Sequence, residues 1–327
     1  MKPFAYVNAA GEKEAIAALG PERGKFLPIA GGMDLLALMK DYVAQPDRLV
    51  NVKGLDRTIA RTPDGGMRIG AAVTLAQLTE HADAKRMYPA LTEAAAEVGT
   101  PQIRNAGTVG GNINQRPRCW YFRNEEFPCL KKGGAQCFAV DGENQYHAIF
   151  GDGPCHIVHP SSLAVPSVAL GASFRVVGPA GERLVEAGEY FQMPDRNLFG
   201  ETVLAPNELL THVLLPAPGG ARTATYEVRF KQSHDWPLAF ASVALSMSGD
   251  NVRAARIVMG AVAPIPWRSP AAEAALTGKR LTEEAAMTAA DAAVQGARPM
   301  TLNGYKVQIA RTAVKRAIMK AAGLKTV

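Results

Sequence analysis

Residues 26–52 constrain the fold more than any other stretch. The run FLPIA (26–30) is short and apolar, Gly31 and Gly32 follow, DLLALMKDYV carries apolar residues at helical spacing, and LVNV (49–52) is apolar again. Strand, glycine turn, helix and strand in that order predict a small parallel unit, because the helix returns the chain to the start of a second strand. Pro28 cannot donate to a sheet ladder, so the first strand is expected at a sheet edge or end.

The same logic extends along the chain. MRIGAAV reads as a strand and TLAQLTE as a helix opened by Thr74. A helix is expected over 86–99, and LAVPSVALGASFRVVG gives a short helix and then a strand. The segment LLPAPGG (214–220) has the composition of a linker and marks a domain boundary. Beyond it, strands are expected at 226–230, 239–247 and 251–261, with SGDN turning between the last two. Helices follow at about 270–277, 282–295 and 304–322. The predicted class is α+β. Residues 1–216 form a two-part domain, a small parallel β/α unit plus a mixed-sheet unit, and residues 221–327 form a small sheet followed by helices. Residues 113–160 break the pattern: they are rich in Pro, Gly and aromatics, hold all four cysteines and show no periodicity. Such a stretch inside a compact domain points to function, and its insertion is bounded here at 114–158.

Hydrophobic residues at 47% and charged residues at 20% exclude general disorder. Four cysteines in 327 residues exclude a disulfide-rich secreted scaffold. The longest apolar runs are too short for a membrane span, and MKPFAYVNAAGEKEA lacks the apolar core of a signal peptide. The chain therefore reads as cytoplasmic, unless a signal-bearing partner carries it out. Its net charge of +6 is local: residues 298–327 hold seven basic side chains and no acidic one. That pattern suits a solvated helix face or a subunit contact and argues against a nucleic-acid surface.

Two glycine loops carry the chemistry. The first, Ile29, Ala30, Gly31, Gly32, Met33, Asp34, Leu35, lies between a strand and a helix. It suits a phosphate held on backbone N–H groups, or a plain turn with Asp34 as the helix N-cap. The second contains Thr108, Gly110, Gly111, Asn112 and Ile113, where a glycine pair flanked by a hydroxyl and an amide can form an anion-binding nest. Neither loop has the spacing of a dinucleotide fingerprint or a P-loop.

AGGMDL, IGAAVTLAQL and QIRNAGTVGGNI occur in that order. In this the chain resembles the FAD-binding subunit of the xanthine oxidase family of molybdenum hydroxylases, over nearly its whole length. The resemblance implies that both glycine loops wrap the FAD pyrophosphate and ribityl chain, through the residues just named. Met33 stands where relatives usually have Thr or Ser, which removes one hydroxyl contact. Lys231, in RFKQSHDW, falls near where the family's C-terminal domain approaches the flavin, and is otherwise a surface lysine.

Cys119, Cys129, Cys137 and Cys155 are separated by 9, 7 and 17 residues. By chemistry alone a four-thiolate iron–sulfur cluster, a zinc site helped by His156 or His159, and free structural thiols all remain open. His147 reads as a loop histidine. The resemblance points to the minority of the family that carries a [4Fe–4S] cluster on such an insertion. NINQRPRCWYFRNEEFPC is similar to the periplasmic-type aldehyde oxidoreductases among these, with Trp120, Tyr121, Phe122 and Phe127 shielding the cluster.

No nucleophilic triad is apparent, so no residue is assigned as catalytic and the chemistry is expected to belong to cofactors. The resemblance implies an electron-transfer flavoprotein subunit. Its partners would be a large subunit with the molybdenum cofactor, a small [2Fe–2S] subunit and an external electron acceptor. The alternatives are the corresponding subunit of a 4-hydroxybenzoyl-CoA reductase and, from another class, a non-redox nucleotide-binding scaffold.

Overall fold

The computed structural model describes residues 1–231 and 234–325. Among these residues twelve strands build three sheets. β1 (Ala5–Asn8), β2 (Phe26–Ile29) and β3 (Arg48–Asn51) form a parallel sheet in the order β1-β3-β2, which leaves Pro28 on an edge strand as expected. The helix Leu35–Lys40 makes the crossover from β2 to β3 and buries Leu38 and Met39.

A second sheet is assembled from distant segments. β4 (Ile59–Arg61), β5 (Met67–Gly70), β6 (Ser173–Gly178), β7 (Gly181–Glu186) and β8 (Leu209–Leu215) pair antiparallel throughout, in the order β4-β5-β8-β6-β7. Its core holds Phe174, Tyr190, Met67 and Leu75, all buried. Full burial of such side chains stabilises by about 1.5–3 kcal/mol each. Thr74 opens the helix Leu75–Glu80 with a capping box: its hydroxyl accepts from the Gln77 N–H, and the Gln77 side chain returns to the Thr74 N–H.

The single helix expected over 86–99 is two, Ala82–Met87 and Pro89–Ala96. Pro89 occupies the first turn of the second helix, and its ring pushes Tyr88 out of the α region, to φ −136° and ψ 60°.

β9 (Arg222–Val228), β10 (Ala239–Ser248), β11 (Asn251–Gly260) and β12 (Trp267–Arg268) form the antiparallel C-terminal sheet. β9 starts four residues ahead of the expected position because β10 runs long enough to pair Leu245 with Arg222. Helices Pro270–Leu276, Glu283–Ala293 and Tyr305–Ala322 follow. The last buries an alanine-rich stripe (Ala310, Ala313, Ala317) with Val314 and Ile318 in the core shared with Ala239, Ala241 and Val243. Small residues on both faces let helix and sheet approach closely.

This helix corrects the expectation of a solvated basic face. Arg311 pairs with Asp291, Lys315 with Glu283 at 2.5 Å and Lys320 with Glu93 at 3.0 Å, while Arg316 donates to the Tyr226 hydroxyl at 2.6 Å. Lys306 is buried, and its ammonium donates to the carbonyls of Tyr146, His147 and Ala261. No helix among the described residues is long and apolar enough to cross a membrane.

Residues 114–160 contain only the short helix Trp120–Arg123 and one 3-10 turn, Leu130–Lys132. Backbone bonds from Ile149 and Phe150 to the Val262 carbonyl, and from His159 to that of Ala263, tie this segment to the C-terminal sheet. The Asn303 side chain donates to the carbonyls of His147 and Ala148, both at 3.1 Å. The insertion thus wedges between the two halves of the chain.

Candidate functional site

A cleft of about 530 Å³ opens where the two glycine loops meet. Ile29, Ala30, Gly31, Gly32, Met33, Asp34 and Leu35 line it, as do Thr108, Gly110, Gly111 and Asn112. Two of the predicted residues do not. Ile113 is wholly buried in the core behind the second loop, and Lys231 is exposed and stands outside the lining.

The two loops are built differently. In the first, the backbone N–H groups of Gly31, Gly32, Met33 and Asp34 have no hydrogen-bond partner among the described residues. Four successive unpartnered donors lining a cleft fit an anionic ligand. Gly32 has φ +73°, a conformation that a side chain resists. Gly31 lies so close to the Ala106–Gly107 backbone that a Cβ would overlap the Ala106 carbonyl oxygen. The two loops are thereby clasped together.

Most amides of the second loop are already engaged. The N–H groups of Val109, Gly110, Gly111 and Asn112 bind the carbonyls of Val73 and Ala71, the Thr108 hydroxyl and the Thr108 carbonyl, at 2.8–3.1 Å. The expected nest there is replaced by a short helix, Val109–Ile113, capped by Thr108. The Asn112 side chain is also engaged, accepting from the Ser161 hydroxyl at 2.8 Å and the Leu163 N–H at 3.2 Å. This loop supplies a wall of the cleft, and the run of four unpartnered donors belongs to the first loop.

Asp34 holds the N-cap position of the helix Leu35–Lys40, yet its side chain makes no capping bond. The carboxylate turns instead to the insertion. It accepts the Arg116 N–H at 2.7 Å, lies 3.1 Å from the Arg118 guanidinium and pairs with Arg123. Arg116 and Arg118 line the cleft from the insertion, and the Arg118 guanidinium stacks 4.5 Å over the Trp236 ring from the opposite domain. Burial pulls Arg118 down to about 10, so it stays charged at neutral pH. Sequence reasoning missed these arginines, and their only signal was the basic RPR run beside the glycine loop.

On the cleft's other flank, Glu97 pairs with Arg229, which also reaches the buried Glu227 at 3.3 Å. Burial pushes Glu227 up to about 7, against the lowering effect of Arg229.

The four cysteines converge. Cys119, Cys129, Cys137 and Cys155 are free thiols around one small pocket of about 10 Å³, shared with Tyr121, Phe122, His147 and His156. His147, read from sequence as a loop histidine, has its Nε2 3.3 Å from Cys119 Sγ, and burial pulls it to about 4, which keeps it neutral. His159 faces elsewhere, against Phe191 at 4.7 Å between ring centroids. Burial pushes the thiols of Cys119 and Cys155 up, to about 12 and about 11. Phe127 packs on Tyr121 and Phe138, and Trp120 on Tyr146 and His147. Among the described residues no three His, Cys, Asp or Glu groups stand placed to hold a single metal ion. Four converging thiols suit the donor set of a thiolate-ligated cluster, while the pocket between them is tight.

Comparison with known proteins places this architecture. Residues 2–218 match the family described as the FAD binding domain in molybdopterin dehydrogenase, and residues 224–321 the CO dehydrogenase flavoprotein C-terminal domain. The chain belongs to the FAD-binding medium subunits of the molybdenum hydroxylase family, which are oxidoreductase subunits. It is 34% identical to the aldehyde oxidoreductase FAD-binding subunit PaoB of Escherichia coli K12, covering 98% of this chain and 99% of that protein. It is 29% identical to the carbon monoxide dehydrogenase medium chain of Hydrogenophaga pseudoflava, covering 96% of each. Among solved structures it superposes on a Hydrogenophaga pseudoflava carbon monoxide dehydrogenase with a TM-score of 0.77, at 29% identity over 99% of both chains.

Proposed function

We propose that this chain is the FAD-containing electron-transfer subunit of a molybdenum-dependent aldehyde oxidoreductase. It would pass electrons from a partner's [2Fe–2S] clusters through FAD to an external acceptor. The observation that carries the flavin site is the cleft between the loops, with four unpartnered amides at Gly31–Asp34. The choice of aldehyde oxidoreductase rests on the similarity to PaoB.

Bound FAD would supply both one-electron and two-electron chemistry. The chain's own residues do the rest. The first loop offers its amides to the pyrophosphate, the clasp between Gly31 and Ala106 fixes the width of the cleft, and Thr108 with Gly110 and Gly111 forms the facing wall. Residues 1–216 would form the FAD-binding domain and residues 221–327 the flavoprotein C-terminal domain, from which Lys231 would approach the flavin. The four cysteines would hold a [4Fe–4S] cluster, a reading supported by their convergence and by the aromatic rings packed around them.

The test uses the full chain and the complex with its molybdenum and [2Fe–2S] partners. The isolated chain is expected to bind FAD that bleaches with dithionite and reoxidises with an acceptor dye, without reducing dye when given an aldehyde. About four irons and four labile sulfides per chain are expected for a cluster of this type. Aldehyde-dependent dye reduction by the isolated chain at the rate of the complex would overturn the subunit reading. Stoichiometric zinc without sulfide would replace the cluster, and a complex that oxidises other substrates but no aldehyde would move the chain to another branch of the family.

A further inference from the structure

The FAD pyrophosphate carries two negative charges, and the glycine loops contribute no cationic side chain. Among the described residues lining the cleft, the only lysine or arginine side chains are Arg116 and Arg118. Both come from the cysteine insertion, which no glycine-loop motif includes. They also belong to a charge cluster that does not balance. Asp34 is shared by Arg118 and Arg123, and Glu201 is shared by Arg116 and Lys131. Four cations answered by two carboxylates leave two positive charges beside the four free amides of the first loop. The other acids lining the cleft do not make up the difference. Glu97 is paired with Arg229 and Glu208 with Arg183; Asp235, which accepts the Trp236 N–H at 2.8 Å, offsets one charge, so at least one positive charge stays unbalanced.

Arg118 is the better placed of the two. Its guanidinium is oriented by Asp34 at 3.1 Å, by the Gln115 side-chain oxygen at 2.8 Å and by the Trp236 ring, and its buried Nε–H has no partner. Arg116 is turned toward Glu201 at 2.8 Å and the Phe199 carbonyl at 3.1 Å. A fork-shaped donor held on three sides, with a donor to spare and unbalanced charge, is built to meet an anion.

We propose that Arg118 is a direct ligand of the FAD pyrophosphate, so that the cysteine insertion is a third FAD-binding element beside the two glycine loops. The inference rests on the FAD reading of the cleft. Arg116 and Asp34 are positioning residues for it, and Trp236 packs against the arginine from the C-terminal domain. Anchoring of the insertion and retention of the cofactor are then coupled.

The test is fluorescence titration of FAD into the flavin-free full chain at low and high salt. The variants are Arg118→Gln, Arg118→Lys, Arg116→Gln and, as a surface control, Arg280→Gln. Arg118→Gln is expected to weaken FAD by about tenfold or more at low salt, the scale of a lost charge-assisted contact. The difference should narrow at high salt, where screening blunts the wild-type charge. Arg118→Lys should recover part of the loss, Arg116→Gln should weaken binding less, and Arg280→Gln should match wild type. Equal FAD affinity in Arg118→Gln and wild type overturns the proposal. So does a loss that is the same at both salts and unrelieved by Arg118→Lys, which would mark a packing role. If Arg118→Gln fails to fold by its melting curve, Arg118→Lys against wild type decides: equal affinity and equal salt dependence reject the contact. A wild-type chain that binds no FAD would overturn the flavin reading instead.

Discussion

The carboxylate of Asp34 accepts the backbone N–H of Arg116 at 2.7 Å, across 82 residues of sequence. One side chain of the first glycine loop therefore anchors the start of the cysteine insertion, and the same carboxylate pairs with Arg118 and Arg123. Replacing Asp34 by Ala leaves two partly buried guanidinium groups and one amide without their acceptor. The expected cost is about 2–4 kcal/mol, slightly below the range for breaking a fully buried pair. Denaturant unfolding measures it, and limited proteolysis should show new cuts within residues 113–160. An unchanged midpoint and digestion pattern would show that the insertion is held by its other contacts.

Gly31→Ala should open the clasp between the two loops. A Cβ there overlaps the Ala106 carbonyl oxygen, which is backbone and cannot swing aside. The variant is expected to fold, because both loops lie at the surface of the core, but to lose most of its FAD on gel filtration. Wild-type flavin content in Gly31→Ala would show that the cleft tolerates a wider mouth.

Glu227 predicts a pH dependence of stability. Its neighbours are Arg229 at 3.3 Å and, across that arginine, Glu97. Burial raises its pKa from 4.5 to about 7. Between those values the native state keeps a proton that the unfolded chain has released, so this group's contribution falls as pH rises from about 4.5 to about 7 and is level above that. Glu227→Gln keeps the shape and removes the titration. Its unfolding midpoint should gain on wild type across that window, and parallel curves for the two proteins would reject the assignment.

Lys306 is expected to be among the most sensitive positions of the C-terminal helix. Its ammonium satisfies three carbonyls, two of them in the insertion. Lys306→Met fits the same channel but leaves those acceptors buried, at about 1–3 kcal/mol for each that water cannot reach. Thermal unfolding of Lys306→Met should show a drop much larger than that of Lys325→Met at the exposed end of the chain. Equal midpoints would mean that the carbonyls find other donors.

The sequence alone determined the local pieces. The parallel unit at 26–52, the edge position of Pro28, the helix start at Thr74, the paired strands at 239–261 and the three closing helices were all legible, because each depends on residues within a few turns of one another. The cleft-lining role of the first glycine loop was legible for the same reason. Tertiary structure decided what those pieces face. No spacing rule brings Cys119 and Cys155 to one pocket, aims Asp34 away from its own helix, sets Arg118 over Trp236, or bonds the Val109 and Gly110 amides to Val73 and Ala71. The basic C-terminal helix reads as a solvated face until its partners Glu93, Asp291 and Glu283 arrive from elsewhere in the chain. Propensity and periodicity act over one element, whereas pairing of charges and thiols depends on which distant segments the packed core leaves side by side.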